Sequence, residues 1–244
     1  MFKNGAFMDN KVEEIKRKIE KSATTFITGG FRPQYVLQES WIGAVNAYLP
    51  DEEIPKDEQG RLMLPLAQFY LPVLPFVPSK LKNIHIITVF VSQELPKIFE
   101  PMGKNWVIRE YTQEKEIVFK ELKNPDSCLK PCVLKASLVT DDTPLWDGGG
   151  LDEACEDEIL ELQESGIIDD YYDIAEHYFE TKIGGYPSFA QPGIGTTDGF
   201  GEGFEFVFQI SSDEKANFNV VDSGSLMFAK NSQTNQWSVY YDFY

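Results

Sequence analysis

The sequence predicts an α+β fold: a β-rich duplicated unit forming antiparallel sheets, with an N-terminal helix and two acidic linking helices. Short segments with alternating apolar residues fill two regions, helical spacing of apolar residues occurs outside them, and the two regions share an order of motifs. We expect one domain of four parts: an N-terminal helix and leader (1–29), a first β-rich repeat (30–138), an acidic helical link (139–181) and a second β-rich repeat (182–244).

The N-terminal part of the chain predicts one amphipathic helix over residues 10–22. Ile15 and Ile19 lie one helical turn apart on its apolar face. Asp9 or Asn10 can accept hydrogen bonds from the first turn, so we expect the helix to begin there.

Strands are predicted where apolar residues alternate with polar ones. The segments are 62–66, 84–90, 106–110 and 116–120 in the first repeat, and 204–208, 225–228 and 237–241 in the second.

The acidic link carries most of the excess charge of the chain, whose formal net charge is −17. Between Lys135 and Lys182 there are 15 acidic residues and no Lys or Arg. Apolar residues recur at helical spacing over 151–162 and again over 167–178, with Ser165-Gly166 between them. The link therefore predicts two short helices with acidic outer faces.

The two β-rich regions can be aligned with each other. Gly43 precedes Gln68 by 25 residues, and Gly184 precedes Gln209 by the same interval. Each glutamine ends an alternating strand, and each is followed by a second strand and then by a strand that begins with Trp. Order and spacing together predict a duplication, with later loops of different length.

The glycine turns and the glutamines predict a structural motif. Gly184, Gly185 and Pro187 form a turn that needs positive φ and a stiff exit, and Gly43 marks the matching turn of the first repeat. A buried glutamine amide needs partners at both ends, so we expect Gln68 and Gln209 to bond the backbone of these turns.

These motifs resemble the YwqG-like family, bacterial proteins grouped under a domain of unknown function. The resemblance covers roughly residues 30–244. It is closest in KIGGYPSFAQ (182–191), FVFQISSDE (206–214), VDSGSLMFA (221–229) and the final WSVYYDFY, and weaker in LPDEEIPKDEQGRLMLPLAQF (49–69), with Ala44 where the second glycine of the turn is expected.

The resemblance implies a mixed α/β fold with a duplicated β-rich half, and it implies no established activity. Such proteins look like accessory proteins encoded beside bacterial polymorphic toxins, which suggests an immunity role. The family is also distantly similar to ribosomal-protein chaperones of the programmed-cell-death-protein type. Both roles consist of holding another protein, often a basic one.

We predict no catalytic residue, metal site or cofactor. No Gly-x-Ser-x-Gly segment is present, and neither His85 nor His177 stands in a recognisable catalytic context. Cys128 and Cys132 have no second cysteine pair or nearby histidine that would complete a zinc site.

Composition narrows the classes of partner and compartment. A strongly negative chain repels phosphate, so nucleic-acid binding is disfavoured. The most apolar stretch is interrupted by three prolines, so no membrane span is predicted. Three cysteines and an N-terminus without an apolar core favour the cytoplasm.

The favoured function is a protein-binding role in which the acidic link meets a basic partner. We expect Trp146, in an acidic loop, to be an exposed contact residue beside Asp147, and Glu156, Asp157 and Glu161 to supply the acidic face. One alternative is an enzyme or small-ligand-binding protein with a cleft between the two repeats. Another is a chaperone for a basic ribosomal protein.

Overall fold

A computed structural model describes the backbone of residues 3–243 and the side chains of residues 10–243. The α-helices of this part are α1 (Lys3–Ile19), α2 (Glu153–Glu164) and α3 (Gly195–Phe200). The strands are β1 (Lys21–Thr28), β2 (Ser40–Ile42), β3 (Ala47–Tyr48), β4 (Leu64–Tyr70), β5 (Ile86–Val91), β6 (Trp106–Tyr111), β7 (Val118–Phe119), β8 (Cys132–Asp142), β9 (Lys182–Gly184), β10 (Phe204–Ser211), β11 (Ser225–Asn231) and β12 (Trp237–Asp242). No helix among the described residues has the length and apolarity that crossing a membrane requires.

One antiparallel sheet of ten strands organises the chain, in the order β12-β11-β10-β9-β1-β8-β2-β4-β5-β6. β1 and β8 pair at its centre, from Lys21 opposite Asp142 to Thr28 opposite Leu134. β2 and β4–β6 extend the sheet beyond β8, and β9–β12 extend it beyond β1. The sheet therefore has two four-stranded halves that flank a central pair.

The sheet curves so that its two halves pack on each other. The rings of Phe69 in β4 and Phe208 in β10 lie 5.6 Å apart inside a shared apolar core. Glu110 on the edge strand β6 accepts hydrogen bonds from Lys230 Nζ (2.7 Å) and Trp237 Nε1 (2.6 Å) in the other half. Apolar side chains thus fill the space between the halves. A ligand-binding cleft in this space is the alternative that the sequence left open.

The two halves share their strand registers. Trp41 lies opposite Gln68 between β2 and β4, and Lys182 lies opposite Gln209 between β9 and β10. The register shifts at the same point in each half, between Pro65 and Ala67 in β4 and between Phe206 and Phe208 in β10. A shared bulge indicates a shared strand geometry.

Gln68 and Gln209 bond to the turn segments, as predicted. Their Oε1 atoms accept from the backbone N–H of Ala47 (2.8 Å) and of Ser188 (3.1 Å). The Nε2 atoms donate to the backbone carbonyls of Glu39 (3.0 Å) and Glu180 (3.1 Å). Both side chains are fully buried, so these bonds satisfy amide groups that water does not reach.

The predicted N-terminal helix over 10–22 is shifted in the structure. α1 begins at Lys3, before Asp9 and Asn10, so neither residue stands at its start. It ends at Ile19 because residues 21–28 form β1, which pairs with β8 on one side and β9 on the other. β1 was not predicted, although Thr24, Thr25 and Ile27 are β-branched.

Only the first of the two predicted acidic helices forms. α2 buries Cys155, Ile159 and Leu162 as expected, but the second segment contains only a single 3-10 turn, Tyr171–Asp173. The chain is extended after this turn because Thr143 donates its backbone N–H to the carbonyl of Glu176 (2.8 Å). Pairing with the end of β8 therefore replaces the helical hydrogen bonds.

The central strands cross the predicted boundaries between the four parts. β8 continues to Asp142, past the expected end of the first repeat at residue 138, and β1 lies in the expected leader. Local alternation predicts β4–β6 and β10–β12, but it predicts neither the short strands β2 and β9 nor the central strands β1 and β8.

Candidate functional site

The acidic segment remains largely in contact with solvent. Of its 15 carboxylates, eleven are exposed, three are half-buried and Asp142 is buried. Among the described side chains, three of them pair with lysines: Asp142 with Lys182, and Glu158 and Glu161 with two lysines of α1. Most of the negative charge is therefore not neutralised by the rest of the described chain.

The five residues predicted to contact a partner are divided between two places. Glu156, Asp157 and Glu161 lie on α2, where Glu156 is half-buried and Glu161 pairs with Lys11 (2.8 Å). Asp147 is exposed in the loop before α2.

Trp146, expected to be exposed, is half-buried. Its ring lies 5.2 Å from that of Tyr171 and packs against the apolar cluster between α1 and α2. That cluster attracts the ring because burying aromatic surface is favourable.

A surface groove of about 510 Å³ lies beside Asp147. We call it the acid-edged groove; it is lined by Leu145, Asp147, Tyr172, Ala175, Glu176, His177, Phe179, Phe189 and Ala190. The carboxylates of Asp147 and Glu176 belong to exposed residues, and the side chains of Tyr172 and Phe179 are 55% and 41% exposed.

The chemistry of this groove suits a cationic side chain. An ammonium or guanidinium group is attracted both by carboxylates and by the face of an aromatic ring. The aliphatic part of a Lys or Arg side chain can also cover apolar surface such as that of Leu145 and Ala175.

A buried ion pair lies beside His177, a residue that lines the groove. Lys182 Nζ donates to Asp142 Oδ2 (2.8 Å) and Oδ1 (3.0 Å), and both side chains are fully buried. The same carboxylate accepts from the backbone N–H groups of Tyr178 (3.0 Å) and Tyr186 (2.7 Å). It therefore connects the end of β8 to the acidic segment and to the glycine turn.

Burial acts against both charges of this pair. Desolvation lowers the pKa of Lys182 to about 8, although the carboxylate of Asp142 partly offsets the shift. Desolvation also raises the pKa of Asp142, against the opposing effect of Lys182 and the backbone donors. The pair is retained in the charged form only while each partner is present.

His177 extends the buried network toward the second half of the sheet. Its Nδ1 lies 2.6 Å from the carbonyl oxygen of Thr143 and its Nε2 lies 2.8 Å from Ser188 Oγ. A carbonyl only accepts, so Nδ1 carries the proton and Nε2 accepts from the Ser188 hydroxyl. Gln209 Nε2 in turn donates to Ser188 Oγ (2.9 Å).

The histidine is held neutral by its surroundings. Burial, with the nearby Lys182 ammonium as a second cause, lowers the pKa of His177 to about 3. Both ring nitrogens already have partners within the protein. His177 therefore acts as a structural hydrogen-bonding group at the groove.

We predict that His177 makes the protein sensitive to acid. The unfolded state binds the proton near pH 6.5 and the folded state near pH 3, so stability present above pH 6.5 is lost as the pH falls toward 3. From pH 6.5 to 4.5 the wild type should lose about 2 kcal/mol more unfolding free energy than His177→Gln. Urea unfolding at the two pH values measures this, and equal losses in both proteins would contradict it.

The predicted glycine turn has the geometry that the network needs. Gly184 and Gly185 have φ of 86° and 70°, and Gly43 has φ of 75° in the first half. A Cβ atom on Gly185 would overlap the Asp142 carboxylate. Pro187, next to this turn, lines a smaller pocket with Gly185 and Tyr186.

Sequence reasoning missed the buried ion pair. The sequence predicts solvated carboxylates throughout the acidic link, Asp142 included, and it indicates no partner for Lys182. The alignment of the two repeats contains one signal of this burial. Lys182 occupies the position that Trp41 has in the first repeat, and a Trp at that position indicates that the side chain there is buried.

Comparison with known proteins identifies a family but no activity. A family model described as a domain of unknown function (DUF1963) matches residues 41–234. No curated protein matches the chain. The matched region contains both glycine turns, both glutamines and the residues of the acid-edged groove.

Proposed function

The chain belongs to the DUF1963 family, a domain of unknown function, and from its geometry we propose that it is a cytoplasmic, non-enzymatic protein-binding protein that holds a basic segment of a partner. The observation that carries the proposal is the acid-edged groove, in which exposed carboxylates of Asp147 and Glu176 stand beside the exposed rings of Tyr172 and Phe179.

The charge distribution supports a basic partner. The residues between Lys135 and Lys182 include 15 acidic residues and no Lys or Arg, whereas the rest of the chain is nearly balanced. A concentrated field of one sign accelerates association with a partner of opposite sign and disfavours partners of the same sign. α2 adds the exposed Asp157 to this field, whereas Glu161 is paired with Lys11.

The groove supplies short-range contacts in addition to the long-range attraction between opposite charges. An exposed ion pair contributes at most about 1 kcal/mol and a cation–aromatic contact a similar amount. Two ion pairs and two cation–aromatic contacts give micromolar binding only when the apolar wall of the groove also covers part of the ligand. We therefore expect weak, salt-sensitive binding of a segment that presents Arg or Lys in a small apolar context.

The test compares two sets of variants with one probe. The probe is a fluorescein-labelled, capped peptide Gly-Arg-Ala-Arg-Gly, and its matched control has Glu in place of both Arg residues. Asp147→Asn with Glu176→Gln should raise Kd for the Arg peptide about tenfold and speed its dissociation. Charge reversal at Glu156, Asp157 and Glu161 should mainly slow its association, because these residues lie outside the groove.

The salt dependence and the control peptide decide the outcome. Binding of the Arg peptide should weaken as NaCl is raised, and the Glu peptide should not bind. Equal binding of both peptides, or an unchanged Kd in the groove variant, would contradict the proposal.

Two further statements belong to the proposal. The matched registers at Gln68 and Gln209, together with the matched bulges, support an origin by duplication of one β-rich unit. The resemblance to YwqG-like proteins supports an immunity role, with a chaperone for a basic ribosomal protein as the alternative; both require a basic partner.

A catalytic or ligand-binding cleft between the halves is less well supported. The rings of Phe69 and Phe208 fill that space, and the buried His177 has no free nitrogen. The described polar groups around Asp142, Lys182 and His177 are hydrogen-bonded to one another. This arrangement suits a structural role in supporting the groove.

A further inference from the structure

A second pocket lies in the first half of the sheet, at the glycine turn after β2. We call it the Trp41 pocket; it has a volume of about 440 Å³, and its lining includes Tyr35, Trp41, Gly43, Pro65, Leu122 and Leu129. Its rim carries one acid, Glu121, and one base, Lys123, so the rim has no net charge.

The indole of Trp41 has an unused donor. Trp41 is 2% exposed, and its Nε1–H has no hydrogen-bond partner among the described residues. A buried donor without an acceptor costs about 1 to 3 kcal/mol, and such groups are rare in folded proteins. An indole N–H only donates, so its missing partner is an acceptor such as a carbonyl oxygen.

The second half of the sheet contains the acceptor that the first half lacks. Lys182 stands at the register position of Trp41, and its Nζ donates to the carboxylate of Asp142. Tyr186, whose backbone N–H also donates to Asp142, corresponds to Val45, whose backbone N–H has no partner in the described structure. Two donor positions are thus satisfied in one half and unsatisfied in the other.

The acceptor in the second half comes from a segment of the chain itself. After β8, residues 142–150 lie against the turn of Gly185 and Tyr186, with Pro144 and Leu145 beside it. In the first half, the segment that follows β1 supplies Pro33 and Tyr35 but no acceptor for Trp41. The open volume is correspondingly larger, about 440 Å³ against about 240 Å³.

We propose that the Trp41 pocket binds a short extended peptide segment, which places an apolar side chain in the pocket and a backbone carbonyl on the indole N–H of Trp41. A rim without net charge suits a peptide backbone, and the Pro and Leu walls suit an apolar side chain. Ala44 stands where the second half has Gly185. The methyl group of Ala44 therefore keeps a ligand farther from the first turn than the Asp142 carboxylate is from the second turn.

Tyr35 is an exposed aromatic neighbour of Trp41 in the lining of the pocket. Its ring is 58% exposed and lies 5.8 Å from the ring of Trp41. Its φ of 58° is a conformation that non-glycine residues adopt at a cost of about 1 kcal/mol or more. The donor is buried, so we expect a neighbouring side chain such as Tyr35 to move when the peptide carbonyl reaches Nε1, and the new hydrogen bond offsets that movement.

The experiment observes the donor directly. The probe is a capped pentapeptide, Ala-Thr-Pro-Leu-Ala, which copies the Thr-Pro-Leu of residues 143–145. In ¹H–¹⁵N spectra of the full chain, Trp41→Phe identifies the Trp41 indole signal by its loss. Adding the peptide should move that signal downfield, as a new hydrogen bond requires, and leave the indole signal of Trp146 in place.

Affinity supplies the second measurement. Trp41→Phe keeps a six-membered aromatic ring and removes the N–H donor together with the five-membered ring of the indole, so Kd for the peptide should rise about tenfold. The matched control, Trp146→Phe, should leave Kd unchanged. An unchanged Kd in Trp41→Phe, a static Trp41 signal, or a response to benzoate instead of the peptide would overturn the proposal. This test is independent of the Arg peptide, because the two pockets share no lining residue.

Discussion

Asp142→Asn should lower the free energy of unfolding by about 3 to 5 kcal/mol, the largest effect expected of a conservative substitution in this chain. The asparagine has the same shape, but it leaves the ammonium of Lys182 buried without a counter-charge. It also presents an NH₂ group where the carboxylate accepted from Lys182, Tyr178 and Tyr186. Urea unfolding at neutral pH measures the loss.

A double-mutant cycle separates the charge from the geometry. In Asp142→Asn combined with Lys182→Met, neither residue of this pair carries a charge, so the double variant should be no less stable than Asp142→Asn alone. Asp147→Asn, at an exposed position, should change stability by less than about 0.5 kcal/mol. Strict additivity of Asp142→Asn and Lys182→Met would show that the two side chains do not depend on each other.

Gly185→Ala should be the second most damaging change, at about 3 kcal/mol or more. The added methyl group would overlap the Asp142 carboxylate, which would have to give up its bonds to Tyr186 and Lys182. The positive φ of Gly185 adds a smaller conformational cost.

Gly60→Ala is the matched control for this prediction. Gly60 has a similar positive φ of 80°, and a Cβ atom there would meet nothing within 4 Å. It therefore reports the conformational cost alone, about 1 kcal/mol. If both variants lose the same stability, the close approach of Asp142 to the turn does not matter for folding.

Six of the eight strands in the two halves, β4–β6 and β10–β12, were predictable because their signals are local. Alternation of apolar residues marks β4, β10 and β12 without reference to the rest of the chain. The role of Gln68 and Gln209 was also predictable, since a glutamine at the end of an apolar strand has few ways to satisfy its amide.

The central strands and the acidic segment were less predictable because their structure depends on distant partners. β1 is a strand because β8 and β9 pair with it on both sides. Residues after Tyr171 to Asp173 have helical spacing, but their pairing with Thr143 holds them extended. Neither outcome follows from the segment alone, because tertiary hydrogen bonds outweigh local preference.

By itself the sequence determined the α+β class, the shared order of the two halves, the glycine turns and the concentration of acidic residues in one segment. These features depend on residue type and spacing along the chain. Only the tertiary structure decided which charges are buried: it brought Asp142 to Lys182, 40 residues away, and placed Asp147 and Glu176 around one groove. The physical reason is that burial and pairing are properties of neighbours in space, and the curved sheet selects those neighbours.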